Sequence, residues 1–117
     1  MTNHLIKILE EVIGGKHEEE EVQQNYPYKV FSLKRLTHEG CLSTYDLEVN
    51  VWDCHKFYSR AEAMMDEVEK LLDFGEGLTE KMLIRIFKER RENVKDPDKS
   101  IKRIKANFTL HVYEREV

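Results

Sequence analysis

Apolar residues in this chain fall into a helical period twice and a strand period four times. Near the N-terminus, Leu5, Ile6, Ile8, Leu9, Val12 and Ile13 share one side when turned by about 100° per residue, which predicts a helix over residues 3 to 13. Thr2 or Asn3 can cap its start, and Gly14-Gly15 can end it in a left-handed conformation. The pattern then lapses from Lys16 to Asn25, where Glu18, Glu19, Glu20 and Glu21 follow one another. Repulsion within that run predicts an exposed connector. Tyr28 to Thr37 reads as a strand apolar on both faces, with Tyr28, Val30 and Leu36 on one and Phe31 and Leu33 on the other. Such a strand is buried on both sides or covered by a partner. His38-Glu39-Gly40 supplies a turn. From Leu42 to Cys54, Tyr45, Leu47, Val49 and Val51 alternate with Asp46, Glu48 and Asn50, the signature of one core face and one polar face. The short connection makes these two strands an antiparallel hairpin.

Ser59-Arg60-Ala61-Glu62 reads as a capping box that opens a second helix, running to about Asp73. Ala61, Met64, Met65, Val68, Leu71 and Leu72 form its apolar stripe, and Gly75 and Gly77 are expected to end it. Met82 to Phe87 alternates again, and a charged continuation follows to Lys95. Asp96-Pro97-Asp98 signals a turn. In Ile101 to Tyr113, Ile104, Ala106, Phe108, Leu110 and Val112 share one face, while Arg103, Lys105, Asn107, Thr109 and His111 share the other. The order is α-β-β-α-β-β. It predicts an α+β fold with an antiparallel sheet of about four strands and the helices packed on its apolar face.

Composition is compatible with this and narrows the class. At 117 residues, read as one domain over 1–117, the chain can bury about 67% of its extended surface without disulfides or a structural metal. With 5 Gly, 2 Pro and 2 Cys it is neither collagen-like nor a disulfide scaffold. No stretch approaches 18 uninterrupted apolar residues, so no membrane-spanning helix is expected. Met1 to Val12 carries Glu10 and Glu11 and lacks a cleavage site, so it does not read as a secretory signal. The two cysteines are then expected as free thiols in a reducing cytoplasm.

The sequence offers little catalytic chemistry. His17 has no second histidine four residues on, so the zinc-protease pattern fails. Cys41 and Cys54 each stand alone, which excludes the paired spacing of a structural zinc site. Cys54-His55 could pair a thiol with an imidazole, but neighbours on a strand face opposite ways and no third, orienting group is evident. A half-buried, inert thiol is expected there. Gly75-Glu76-Gly77 is no phosphate-cradling loop. Asp66, Glu67 and Glu69 are expected on the solvated side of their helix, and Met64-Met65 in the core. No metal or cofactor site follows from the sequence, and a small enzyme is the weakest of three readings.

Charge placement says more. Residues 1–80 hold 8 Lys+Arg against 17 Asp+Glu, whereas residues 81–105 hold 10 against 4. The second hairpin is therefore basic within a chain of net charge −4. One reading is a nucleic-acid-binding module using hairpin 81–105, although only Phe87 and Phe108 interleave the cations there, and Phe108 is on the core face. The other is a head-to-tail contact with the acidic part of the next copy, a heterologous contact of the kind that closes into rings.

Beyond these patterns, the chain resembles the small tail-terminator and tail-completion proteins of long-tailed bacteriophages and prophages, the group that includes the lambda tail terminator. The resemblance rests on the amphipathic N-terminal helix, Tyr26-Pro27 leading into the first strand, and Leu47-Glu48-Val49-Asn50-Val51-Trp52-Asp53. It also rests on Ser59-Arg60-Ala61-Glu62-Ala63 with Val68-Glu69-Lys70-Leu71-Leu72, and on Ala106-Asn107-Phe108-Thr109-Leu110-His111-Val112-Tyr113. The glutamate run before Tyr26 and the charged stretch from Lys88 to Ser100, both read as loops, depart from the family pattern. The resemblance implies a non-enzymatic structural subunit without cofactors. Such a subunit assembles with itself as a ring, often a hexamer, that caps the tail tube and presents the surface for the head-completion or connector protein. It implies assembly in the bacterial host's cytoplasm and residence at the head–tail junction of the virion, with no membrane partner. Arg85, Lys88, Arg90, Arg91 and Lys95 on the basic hairpin, with Glu18, Glu19, Glu20 and Glu21 on the connector, are the contact candidates on grounds of charge.

Overall fold

The computed structural model describes residues 2–17, 25–72, 76–78 and 82–114. The elements run α1 (Thr2–Ile13), β1 (Lys16–His17), β2 (Tyr28–Glu39), β3 (Leu42–Cys54), α2 (Ser59–Leu72), β4 (Glu76–Leu78), β5 (Met82–Val94) and β6 (Ile101–Glu114). The fold is α+β in the expected order. Four long antiparallel strands form the sheet, and two short ones extend it at the edges, giving the order β1-β2-β3-β6-β5-β4. The β1–β2 pairing is parallel, and β4 pairs antiparallel with β5.

The two hairpins meet along β3 and β6, which pair from Leu42 opposite Tyr113 to Cys54 opposite Ile101. This register puts Tyr45 beside Leu110, Leu47 beside Phe108 and Val51 beside Ile104, so the apolar halves of two alternating sequences form one continuous surface. All of these are buried, together with Phe31 of β2 and Met82 and Ile84 of β5. Helix α2 covers β3 and β6 with Ala61, Met65, Val68 and Leu72, and α1 packs beside it over β1 through Leu5, Leu9 and Ile13. Leu71, at the margin of the α2 stripe, stays 38% exposed.

Gly14 has φ +74°, and its N–H donates to the Glu10 carbonyl at 3.0 Å, ending α1 as its sequence predicts. The chain does not then become a connector. Lys16 and His17 pair with Val30 and Phe31, and the buried His17 ring meets Phe31 edge-on at 5.4 Å. This needs a very close approach, because a Cβ on Gly15 would lie 2.7 Å from the Lys29 carbonyl oxygen. The glutamate run that follows lies outside the described residues.

Further departures from the sequence reading have local causes. The second helix opens one residue earlier than the expected Ser59 cap: the Glu62 N–H donates to the Tyr58 carbonyl at 2.8 Å, which puts Ser59 in the first turn. Gly77 does not end that helix; it lies in β4 opposite Ile84, while Gly75 lies outside the described residues. The charged stretch after Lys88 is mostly strand, with β5 reaching Val94. Its alternation is broken by a bulge at Glu89, since Lys88 faces Phe108 but Arg90 faces the next residue, Asn107. A second bulge at Leu36 divides β2. Phe31 is buried before that bulge and Leu36 is 53% exposed, so this chain covers only the first half of the two-sided strand.

Candidate assembly surfaces

The bulge at Glu89 decides where the basic hairpin's side chains go. Without it, Lys88 and Arg91 would point to opposite faces; with it, both reach the helix side of the sheet. Arg91 Nη1 donates to Asp66 Oδ1 at 2.6 Å and to Glu69 Oε2 at 3.3 Å, and its Nη2 donates to the Glu62 carbonyl at 3.3 Å. Lys88 Nζ lies 3.3 Å from the same Glu69 oxygen. Two cations of β5 thus clamp one side of α2. Glu69 corrects the expectation of a solvated carboxylate, because its side chain is only 16% exposed and its Oε1 is buried without a hydrogen-bond partner among the described residues. Burial opposes the charge on Arg91, but the bonds and charges of Asp66 and Glu69 outweigh it and raise the guanidinium pKa. Beside the clamp, a groove of about 250 Å³ is floored by Leu72, Ile86 and Phe108 and rimmed by Asp66, Lys70 and Lys88.

A second charged contact holds the start of α2. Asp53 is fully buried, and Arg60 meets it in a fork, Nε to Oδ2 at 2.9 Å and Nη2 to Oδ1 at 2.5 Å. The hydrogen bond from Arg60 overcomes burial, and with the Arg60 charge and the Cys54 N–H it holds the Asp53 carboxyl below the usual range.

The sheet face turned away from the helices carries a polar ladder. Lys105 Nζ sits 3.7 Å from Glu48 and 3.4 Å from Glu92. Asn50 Nδ2 donates to Glu48 Oε2 at 3.0 Å, and Arg103 Nε donates to Asn50 Oδ1 at 2.9 Å. At one end the ladder becomes aromatic. Tyr28, Trp52 and Arg103 are cross-strand neighbours, with the two rings stacked at 6.3 Å and 15° and the guanidinium 4.8 Å from the Trp52 centroid. Tyr26 adds a further ring 5.3 Å from Tyr28 and is 44% exposed. The 55–58 turn follows β3 at the same end of the sheet, with Tyr58 packed against the core on the helix side. The His55 N–H donates to the Ser100 carbonyl at 2.9 Å, tying that turn to the β5–β6 loop. Lys56 lies 5.7 Å from the Phe57 ring centroid and Lys102 lies 5.2 Å from that of Tyr58.

The sequence-derived contact candidates are therefore dispersed. Lys88 and Arg91 are engaged with α2, whereas Arg85 and Arg90 lie exposed on the ladder face of β5 and Lys95 lies exposed in the β5–β6 loop. Glu18 to Glu21 lie outside the described residues. Cys54 is exposed rather than half-buried, with its Sγ 3.8 Å from Ser100 Oγ. The neighbouring His55 Nδ1 accepts from the Phe57 N–H at 3.1 Å. Among the described residues no group of His, Cys, Asp or Glu could hold a metal ion. Sequence reasoning missed the aromatic rim, because Trp52 meets Arg103 only through the β3–β6 pairing that joins the two hairpins. An inward-facing Asp53 was available from the alternation, since it continues the series Tyr45, Leu47, Val49 and Val51.

Sequence comparison finds no matching family and no matching curated protein. Structure comparison finds a chain of the virion of a native gene transfer agent particle, with a TM-score of 0.65 at 15% identity over 92% of this chain and 85% of that one. The two chains share a fold.

Proposed function

We propose that this chain is a structural, non-enzymatic subunit of a phage-like particle, acting as a single domain in a tail-completion ring. One observation carries the reading: nearly the whole fold recurs in a chain of a virion particle. The charge pattern supports a head-to-tail contact, because residues 1–80 are acidic in sequence while Arg85 and Arg90 are exposed on β5. Its partners would be further copies of itself, the tail tube and a head-completion protein, met in the host cytoplasm and retained at the head–tail junction. Its action would be steric and adhesive, matching the tube's end on one side and offering a different surface on the other.

The test is solution mass by light scattering during size-exclusion chromatography at low and moderate salt. A closed oligomer of fixed mass that loosens in salt and in Arg85→Glu/Arg90→Glu supports the reading. An oligomer indifferent to the double reversal removes those residues from the contact. A monomer at every salt and protein concentration counts against a self-closing ring.

A further inference from the structure

We propose that the aromatic rim at the Trp52 end of the sheet binds single-stranded nucleic acid. Along the sequence the cations of the second hairpin have few aromatic neighbours, but the fold supplies them. Tyr26 and Tyr28 arrive from β2 and its approach, Trp52 from β3, and Phe57 and Tyr58 from the turn before α2. All three cation–ring contacts found among the described residues lie at this end of the sheet: Arg103–Trp52 on the ladder face, Lys102–Tyr58 on the helix side, where Lys102 pairs opposite Asp53, and Lys56–Phe57 in the turn after β3.

The local charge is positive although the chain as a whole is acidic. Lys95 and Lys99 are exposed in the β5–β6 loop and join Lys56, Lys102 and Arg103. Of the nearby described carboxylates, Asp53 is paired with a cation, whereas Asp96 and Asp98 are held by hydrogen bonds and keep their charges. Asp53 is buried against Arg60, Asp96 Oδ1 accepts from the Asp98 N–H at 2.9 Å, and Asp98 Oδ1 accepts from the Ser100 N–H at 2.9 Å and its hydroxyl at 2.7 Å. The five cations outnumber the two remaining charges of Asp96 and Asp98, so phosphates passing the rim would still meet a positive surface.

The rings divide into a backing and an offering. Tyr28 and Trp52 are partly buried and stacked on each other, with Arg103 over Trp52, which fixes their orientation. Tyr26, beside Tyr28 and 44% exposed, and Phe57, in the turn after β3 and 60% exposed, keep ring surface open to solvent. Exposed rings beside cations fit unpaired bases, which stack on aromatic faces while their backbone follows the positive charge. A duplex keeps its base faces inside and could use only the cations.

Trp52 is the chain's single tryptophan, so its emission reports on this rim alone. The protein is titrated with a fluorescein-labelled twelve-nucleotide oligo(dT), reading Trp52 emission and label anisotropy together. Quenching of Trp52 is expected, with an affinity that falls about 50-fold between 50 and 200 mM salt if about four phosphates are neutralised. Tyr26→Ala and Phe57→Ala remove exposed rings, and each should weaken binding about tenfold or more while leaving the circular dichroism unchanged. Arg90→Glu, on the ladder face of β5, should bind as the parent does. Four results would overturn the proposal: unchanged Trp52 emission and anisotropy at low salt, equal affinity for a blunt duplex, equal affinity for polyglutamate, or full binding by both ring variants. A Lys56→Glu/Lys102→Glu chain that loses self-association instead of oligonucleotide binding would make the rim a protein contact and overturn it as well. The proposal stands apart from the ring reading, since a monomer can pass or fail it.

Discussion

Arg91 separates an internal role from an intermolecular one, and the structure assigns it the internal role. Arg91→Met keeps the aliphatic reach of the side chain and removes the guanidinium. Three contacts are lost. The contact to Asp66, whose side chain is 68% exposed, is worth about 0.5 kcal/mol. The long bond to the Glu62 carbonyl contributes a similar amount, about 0.5 kcal/mol. The contact to Glu69, only 16% exposed and already short of a partner for Oε1, contributes about 1 to 1.5 kcal/mol. The expected loss is about 2 kcal/mol, or roughly 8 °C in Tm for a chain of this length. Lys88→Ala should cost about 0.5 kcal/mol or less, because Lys88 is 54% exposed. Urea melts followed by circular dichroism read both. A double-mutant cycle with Glu69→Gln should return a coupling of about 1 kcal/mol between Arg91 and Glu69. The reasoning is refuted if Arg91→Met melts within about 0.5 kcal/mol of the parent, the scatter of such cycles, while the oligomer mass collapses. Arg91 would then serve a neighbouring copy rather than α2.

Two further substitutions test the packing and the buried carboxyl. Asp53 has its folded pKa lowered, so its stabilisation is fully present above the unfolded value of about 3.9 and is lost as pH falls through the lower folded one. Asp53→Asn should flatten the acid limb of a stability–pH curve below about pH 4, and an unchanged acid limb would show that the Arg60 fork contributes nothing. Gly15→Ala would press a methyl group against the Lys29 backbone at 2.7 Å and should cost about 1 to 3 kcal/mol in urea, whereas a parental melt would show that the β1–β2 approach is looser than described.

What the sequence made legible follows from where burial is one-sided. Leu42 to Cys54 and Ile101 to Tyr113 alternate without interruption, because a single face of each is covered, and the observed strands match to within a residue. Strands β1 and β4, of two and three residues, are too short to show any period. The bulge at Glu89 was invisible for another reason. Once Ile86 and Phe87 are passed, every residue to Glu92 is charged, so no apolar position marks which face is which. The same loss of register hid the division of the basic residues between the α2 clamp and the ladder face. The aromatic rim required knowing which hairpin strands lie side by side, and hairpin patterning alone leaves that open.

The pairing of β3 with β6 also governs how the chain comes together during its own synthesis. Leu42 finds Tyr113 and Tyr45 finds Leu110 across most of the sequence, whereas each hairpin closes locally. The first hairpin leaves the ribosome with Tyr45, Leu47, Val49 and Val51 in place, but β6, the strand that completes their sheet, emerges only after α2 and β5. Until then one edge of β3 is an open template for any passing strand. A message truncated before Ile101 would therefore release an unfinished sheet prone to aggregation, not a smaller working protein.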